Sequence, residues 1–292
     1  MRKPAFAVLI VALLLPRLAA AAGAVLIGSY DWRGTDPGFG GLSGIEIGAD
    51  GRQMVVVSDR GEIAAGRLVR DAAGGVTGVS LGPLQRLRAE DGKPLPLVKA
   101  DAEGLALAPD GRLFIAFERV HRVLEYPRLG GIPRLLPQPP DVRRLPANRS
   151  FEALAIDRHG WLWTTPEGIP AAGPLPLYRF RDGRWDQPAT LPRPPDGFLP
   201  TGADFGPDGR LYLLERDYAL FGFRSRVVRY TLGPGGADAG EVLLQTRWGQ
   251  HDNLEGIAVW RDAAGAIRLT LVADDNFSRL QKTQIVDYRI TE

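Results

Sequence analysis

The chain has 292 residues, 45% of them hydrophobic, with 36 Lys plus Arg against 34 Asp plus Glu and no cysteine. That apolar content excludes a disordered chain, and the lack of cysteine excludes a disulfide-stapled scaffold. A net charge of +2 gives nucleic-acid binding no global electrostatic support.

The first 22 residues read as a leader. Arg2 and Lys3 precede an apolar stretch from Ala5 to Leu15, then Pro16 and an Ala-rich run from Ala19 to Ala22. This is the layout of a cleaved secretory signal, too short to span a bilayer as a stable helix, with an uncleaved anchor as the alternative. The expectation is removal of residues 1–22 on export to the periplasm or the medium. Loss of Arg2, Lys3 and Arg17 takes the basic count from 36 to 33 against 34 acids, so the mature chain is close to neutral. No later segment is long and apolar enough to cross a membrane, and no break in composition marks a second domain within 23–292.

Val25 to Trp32 is strand-like and resembles two later segments, Val79 to Leu87 and Glu241 to Trp248. A line then recurs five times. It reads LSGIEIGADGR from Leu42, AEGLALAPDGR from Ala102, FEALAIDRHGW from Phe151, PTGADFGPDGR from Pro200 and LEGIAVWRD from Leu254. The second positions, Ser43, Glu103, Glu152, Thr201 and Glu255, are spaced by 60, 49, 49 and 54 residues. Each repeat is an alternating apolar run, a turn such as Asp110-Gly111, and a second run such as Leu113 to Phe117, which is a β-hairpin signature. Two more strands fit before the next repeat, as in Arg122 to Tyr126 and Ile132 to Leu136. Four strands per repeat of about 50 residues describe a propeller blade. The Pro-rich stretches 133–146 and 188–200 fall at outer strands and crossings, because Pro cannot donate to a central ladder.

After the last repeat only Ile267 to Ala273 and Thr283 to Ile290 remain, so the fifth blade lacks its outer strand. Val25 to Trp32 supplies it and closes the ring without an unpaired edge. The fold expected is all-β, a single propeller of five four-stranded antiparallel blades, with a sixth blade assembled from irregular pieces as the alternative.

In a propeller the start of each inner strand and the end of the second strand share one face. Glu103, Glu152 and Glu255 begin three inner strands, and the other two carry an acid three residues later, Glu46 and Asp204. Second strands end on Asp59, Glu118, Glu167, Glu215 and the pair Asp274, Asp275. Such crowding raises carboxylate pKa values unless a counter-charge intervenes. A hard cation such as Ca²⁺ suits Glu103, Glu152, Glu255, Glu46 and Asp204 as ligands. Arg60, Arg119, Arg149 and Arg216 are candidates to bind an anionic substrate, with Arg279 and Lys282 in nearby loops. His121, His251 and Glu118 are candidate general acids or bases, while His159 belongs to a turn on the opposite face. Acids at strand starts also serve simply as acceptors for backbone N–H groups. No GxSxG, HExxH, P-loop or CxxC is present, and GLSG at 41–44 makes Ser43 a weak nucleophile candidate. Asn148-Arg149-Ser150 and Asn276-Phe277-Ser278 match the glycosylation sequon.

On the segments GGLSGIEI leading to VVVSDRG, DAEGLALAPDGRLFIAFER, NRSFEALAI leading to TTPEG, and DNLEGIAV leading to ADDN, the chain resembles the bacterial phytase-like β-propeller family, the group labelled "esterase-like activity of phytase". The resemblance implies an exported propeller hydrolase of phosphate esters or related esters, assisted by Ca²⁺ and acting on a small anionic or ester substrate. It supplies no catalytic residues. A gluconolactonase-type lactonase and a non-catalytic periplasmic binding scaffold are the competing readings, and the oligomeric state is open.

Overall fold

A computed structural model describes residues 22–140, 142, 145, 151–168, 173–195 and 197–291. Residues 1–21, Arg149 and the sequon at 148–150 lie outside the described residues. Five four-stranded antiparallel blades form the ring. The strands, from axis to rim, are Leu42–Ile47, Gln53–Ser58, Glu62–Arg70 and Val76–Leu81 in blade one. Blade two has Ala102–Leu107, Leu113–Phe117, Arg122–Tyr126 and Arg134–Leu135, and blade three has Ala153–Ile156, Leu162–Thr165, Leu175–Arg181 and Arg184–Leu191. Blade four has Leu199–Phe205, Leu211–Ala219, Gly222–Tyr230 and Glu241–Gln245. Blade five takes Asn253–Arg261, Ile267–Asp274 and Gln284–Thr291 from the C-terminal end of the chain, and Gly23–Asp31 from its beginning. Gly23 pairs with Thr291 and Asp31 with Gln284. The ring is therefore closed as the sequence predicts, with five blades and not six. The outer strand of blade two is cut to two residues between Pro133 and Pro137, which cannot donate to a ladder.

The core is divided among the seams between blades. Ile45, Met54 and Val56 of blade one meet Ala258, Val272 and Ile285 of blade five, and Tyr212 and Leu214 of blade four meet Leu254, Ile257 and Leu269. Every strand of alternating pattern thus buries one side chain set against the preceding blade or the next. The seam between blades five and one also carries a buried ion pair, Arg70 Nη1 to Asp287 Oδ1 at 2.8 Å.

The inner strands come unusually close near the axis. In four blades the ladder slips by one residue at the start of the inner strand, between Leu42 and Gly44, Ala102 and Gly104, Pro200 and Gly202, and Leu254 and Gly256. The bulged residues are Ser43, Glu103, Thr201 and Glu255, the recurring second positions of the sequence repeat. A bulge leaves its residue unpaired and re-aims its side chain. The glycine that follows is required by space: a Cβ on Gly104 would stand 2.4 Å from Glu152 O, and one on Gly202 would stand 2.4 Å from Glu255 O. Ser43 is buried and its hydroxyl donates to Ala102 O at 2.5 Å, tying blade one to blade two. That contact occupies it structurally and removes it as a nucleophile candidate.

Candidate functional site: an acidic mouth on the axis

The close approach of the inner strands pinches the axis. The central cavity, lined by Ser43, Glu103, Glu152 and Glu255 with the neighbouring glycines, holds only about 10 Å³, roughly the space of one water. Among the described residues the axis narrows to this small space below the acidic end.

Backbone pairing brings the acids of each blade together at that end. Glu118, after the second strand of blade two, donates its N–H to Asp101 O at 2.8 Å, and Asp59 in blade one donates to Gly41 O at 2.8 Å. The carboxylates of Asp101, Glu103 and Glu118 have oxygens within 4.8 Å of one another, and so do those of Glu118, Glu152 and Glu167. Burial, followed by the charges of Glu255, Glu152, Asp101 and Glu118, pushes the Glu103 carboxyl well above its ordinary range. Burial and then Glu167 do the same to Glu152, against the pull of Arg216. Glu118 is raised to about 7 by burial, Asp101 and Glu167. Asp59 is raised to about 7 by burial, Glu255 and Asp101, and Asp274 to about 8 by burial and Glu255.

Among the described residues, few contacts of Glu152 and Asp59 relieve this crowding. Glu152 is 8% exposed, yet its carboxyl accepts no hydrogen bond and forms no ion pair among the described residues. One oxygen of Asp59, Oδ1, is buried with no partner among them. Among the described residues Arg216 enters the cluster: it pairs with Glu255 and donates to Asn253 Oδ1 at 2.6 Å, while Asn253 Nδ2 donates to Glu255 at 2.8 Å. At the rim, the exposed Arg119 pairs with Asp101 at 2.7 Å from a left-handed backbone, φ 31°. The exposed Arg60 lies over the Phe277 ring, 3.3 Å from its centroid. Phe277 and Asn276 both have positive φ, 49° and 48°, in a tight loop whose N–H groups are held by Asp275 and Asp274. A bulky residue in this region is strained, and here the strain sets the platform on which Arg60 rests.

Several placements differ from those the sequence suggests. Glu46 and Asp204 do not join the mouth. Three residues along a strand is about 10 Å, so both lie toward the hairpin-turn end of the axis, where Glu46 accepts Leu107 N–H at 3.0 Å and Asp204 accepts Val259 N–H at 2.6 Å. They fasten each inner strand to the next, and they line a cavity of about 580 Å³ with Trp163, Phe205 and His159. His251 turns into the seam between blades four and five, where its ring nitrogen Nε2 lies 2.7 Å from the Tyr288 hydroxyl. Burial alone lowers its pKa, with no contribution from any carboxylate. His121 is half-buried in the turn after Glu118-Arg119. Glu215 pairs with Arg226 inside blade four and stands apart from the cluster. His159 is exposed in its turn on the opposite face, as the topology predicts. Asp101 was not among the sequence candidates, although its place two residues before Glu103, on the same side of an extended chain, was a readable signal.

Comparison with known proteins gives a family and a set of fold likenesses. The model of the Phytase-like family, described as "Esterase-like activity of phytase", matches residues 37–277. Among curated proteins no match is found. Among solved structures, the catalytic domain of the Coprinopsis cinerea GH62 α-L-arabinofuranosidase is similar with TM-score 0.56 and 13% identity, over 93% of this chain and 98% of that one. That likeness concerns the fold alone. The PQQ-bound aldose sugar dehydrogenase from Streptomyces coelicolor gives TM-score 0.47 and 16% identity over 90% of this chain and 98% of that one. A putative gluconolactonase gives 0.44 and 14%, over 93% and 94%.

Proposed function

The chain belongs to the phytase-like family, and on that premise we propose that it is an exported, cation-assisted hydrolase of phosphate esters or related esters, with its site at the acidic mouth. The observation that supports this reading most directly is Glu152, a carboxyl buried among other carboxyls with no hydrogen-bond donor among the described residues. Leaving such a group unsatisfied costs about 1–3 kcal/mol, more if it is charged, and a hard divalent cation is the partner that oxygen ligands at this density suit.

The donor set fits Ca²⁺. Glu118 would hold it together with Glu152 and Glu167 on one side or with Asp101 and Glu103 on the other, each group having carboxylate oxygens within 4.8 Å of one another. When bound, such an ion polarises an ester or phosphoryl oxygen and makes water more acidic. The chain's own groups do the rest. Arg60 and Arg119, exposed at the rim, hold the anionic part of the substrate by charge-assisted hydrogen bonds. Arg216 fixes Glu255 and offsets part of the negative field. Asp59, whose Oδ1 has no partner among the described residues, accepts the proton of the attacking water. The pinched axis keeps substrate on one face.

The test is a screen of phosphate esters, aryl esters and lactones with the mature protein, with and without chelator, alongside melting curves. Ca²⁺ is expected to raise the melting temperature and to be needed for turnover of at least one phosphate or carboxylate ester, and Glu103→Gln combined with Glu152→Gln should remove both effects. Unchanged melting together with no turnover of any ester would overturn the proposal, and turnover of lactones alone would redirect it to a lactonase.

A further inference from the structure

The opposite end of the axis carries acids of its own. Glu46 and Asp204 lie near the ends of the inner strands Leu42–Ile47 and Leu199–Phe205, in blades one and four, which are not neighbours in the ring. Both line the cavity of about 580 Å³ among the hairpin turns, a volume within the range of about 300–1,000 Å³ usual for small-molecule sites.

We propose that this cavity is a binding site for a small organic cation, a protonated amine on an apolar body, with the ammonium on the Glu46 and Asp204 carboxylates and the body against Trp163 and Phe205. The site is separate from the acidic mouth and does not depend on the reaction proposed there.

Three observations carry it. The first is an unmet acceptor. Glu46 uses Oε1 to accept Leu107 N–H at 3.0 Å, and its other oxygen, Oε2, has no partner among the described residues. Asp204 accepts Phe205 N–H at 2.7 Å on one oxygen and Val259 N–H at 2.6 Å on the other.

The second is a missing counter-charge. Two arginines line the cavity, but Arg179 donates to both oxygens of Asp186 at 2.9 Å and Arg158 turns its Nε to His159 Nε2 at 3.2 Å. Neither acid has an ion pair among the described residues. Burial, followed by the charge of Asp204, holds the Glu46 carboxyl well above its ordinary range, and burial raises Asp204 as well. A partner that brings N–H donors together with a positive charge therefore gains more here than a hydroxyl, which brings a donor alone. The described residues place no third carboxylate or imidazole with the pair at metal-ligating distance, which disfavours a bare metal ion, since a hard cation asks for six or more oxygen ligands.

The third is the wall. The Trp163 indole N–H donates to Asp157 Oδ2 at 3.0 Å, and its ring centroid lies 5.9 Å from that of Phe205, so the aromatic side of the cavity is set by contacts within the protein. Aromatic rings beside acids suit an amine with an apolar body, through apolar contact and cation–π attraction.

The experiment is isothermal titration calorimetry at neutral pH with phenethylamine, its uncharged counterpart phenethyl alcohol, and cellobiose. The amine is expected to bind roughly tenfold or more tightly than the alcohol, and cellobiose is expected not to bind. Glu46→Gln keeps an oxygen for Leu107 N–H and removes the charge, and should weaken the amine by roughly tenfold while leaving the alcohol unchanged. Glu103→Gln, at the mouth, should bind the amine as the parent does. If Glu46→Gln fails to fold, Phe205→Leu takes its place as an apolar exchange at the wall and should weaken the amine severalfold. No binding of the amine, equal affinity for amine and alcohol, tighter binding of cellobiose, or an amine affinity that falls in Glu103→Gln and is unchanged in the cavity variants would overturn the proposal.

Discussion

Removing the Asp287 carboxylate tests how the ring is locked. Asp287 is fully buried and accepts from Arg70 Nη1 at 2.8 Å, Thr270 Oγ1 at 2.7 Å and Val76 N at 3.1 Å. Arg70 and Val76 belong to blade one, Thr270 and Asp287 to blade five, so this carboxylate bridges the seam at which the chain closes on itself. Asp287→Ala leaves the Arg70 side chain, itself 4% exposed, without its counter-charge. Its remaining acceptors are Gly51 O, Gly74 O and the Thr270 hydroxyl. Breaking one side of a buried pair costs about 3–5 kcal/mol, and the surviving carbonyl contacts argue for the lower end. At roughly 2 °C per kcal/mol for a chain of this length, calorimetry should show the melting temperature fall by about 6–10 °C. Asp287→Asn keeps the size of the group and one of its two acceptor oxygens, and should lose less. Replacing both partners, as Arg70→Met with Asp287→Leu, should recover much of the loss, because a buried pair exchanged for apolar groups of similar volume is close to neutral. A fall of less than about 2 °C for Asp287→Ala would refute the idea that this pair locks the closing seam.

Deleting residues 24–32 should expose the edge of the strand Gln284–Thr291 and cause aggregation or loss of cooperative unfolding, read by light scattering and calorimetry; a parent-like melt would contradict the closure. Gly104→Ala places a Cβ 2.4 Å from the Glu152 carbonyl of the next blade, which is backbone and cannot swing aside. Overpacking of this kind costs about 1–3 kcal/mol, and a variant as stable as the parent in urea would show the inner strands to be looser than described. In the cation-free protein Asp59 and Glu118 are held at about 7 and Asp274 at about 8, above the ordinary value near 4 of an unfolded carboxyl. The folded form therefore binds more protons across that window: the stabilisation is full below about pH 4 and is lost as pH rises through 7 to 8. Chelator-treated protein should melt higher at pH 5 than at pH 8 and Ca²⁺ should flatten the difference; a cation-free melting temperature that rises over that range would contradict the account of the mouth.

The blade count and the closure were legible in the sequence because they follow from local chemistry repeated five times. The alternating apolar runs fix the strands, and the turn residues fix the hairpins. The shortage of a strand after Ile290 leaves the strand-like segment Val25 to Trp32 to complete the last blade, and the fold uses Gly23–Asp31. The recurring second position was also visible, and so was the glycine that follows it in four of the five repeats. Period alone could not say which acids meet. Glu46 and Asp204 share a strand and a blade with the mouth in the sequence, but a rise of about 3.3 Å per residue carries them to the other end of the axis. Glu255 has the same register as Glu103 and Glu152, yet it is neutralised by Arg216 reaching across from blade four. Glu118 looks like one strand end among five, and only the pairing of its backbone with Asp101 sets it between two groups of carboxylates. Strands and turns are decided over a few neighbouring residues. The charge pattern of the mouth depends on distances between blades 50 residues apart in the chain, and those are fixed only when the five inner strands pack around one axis.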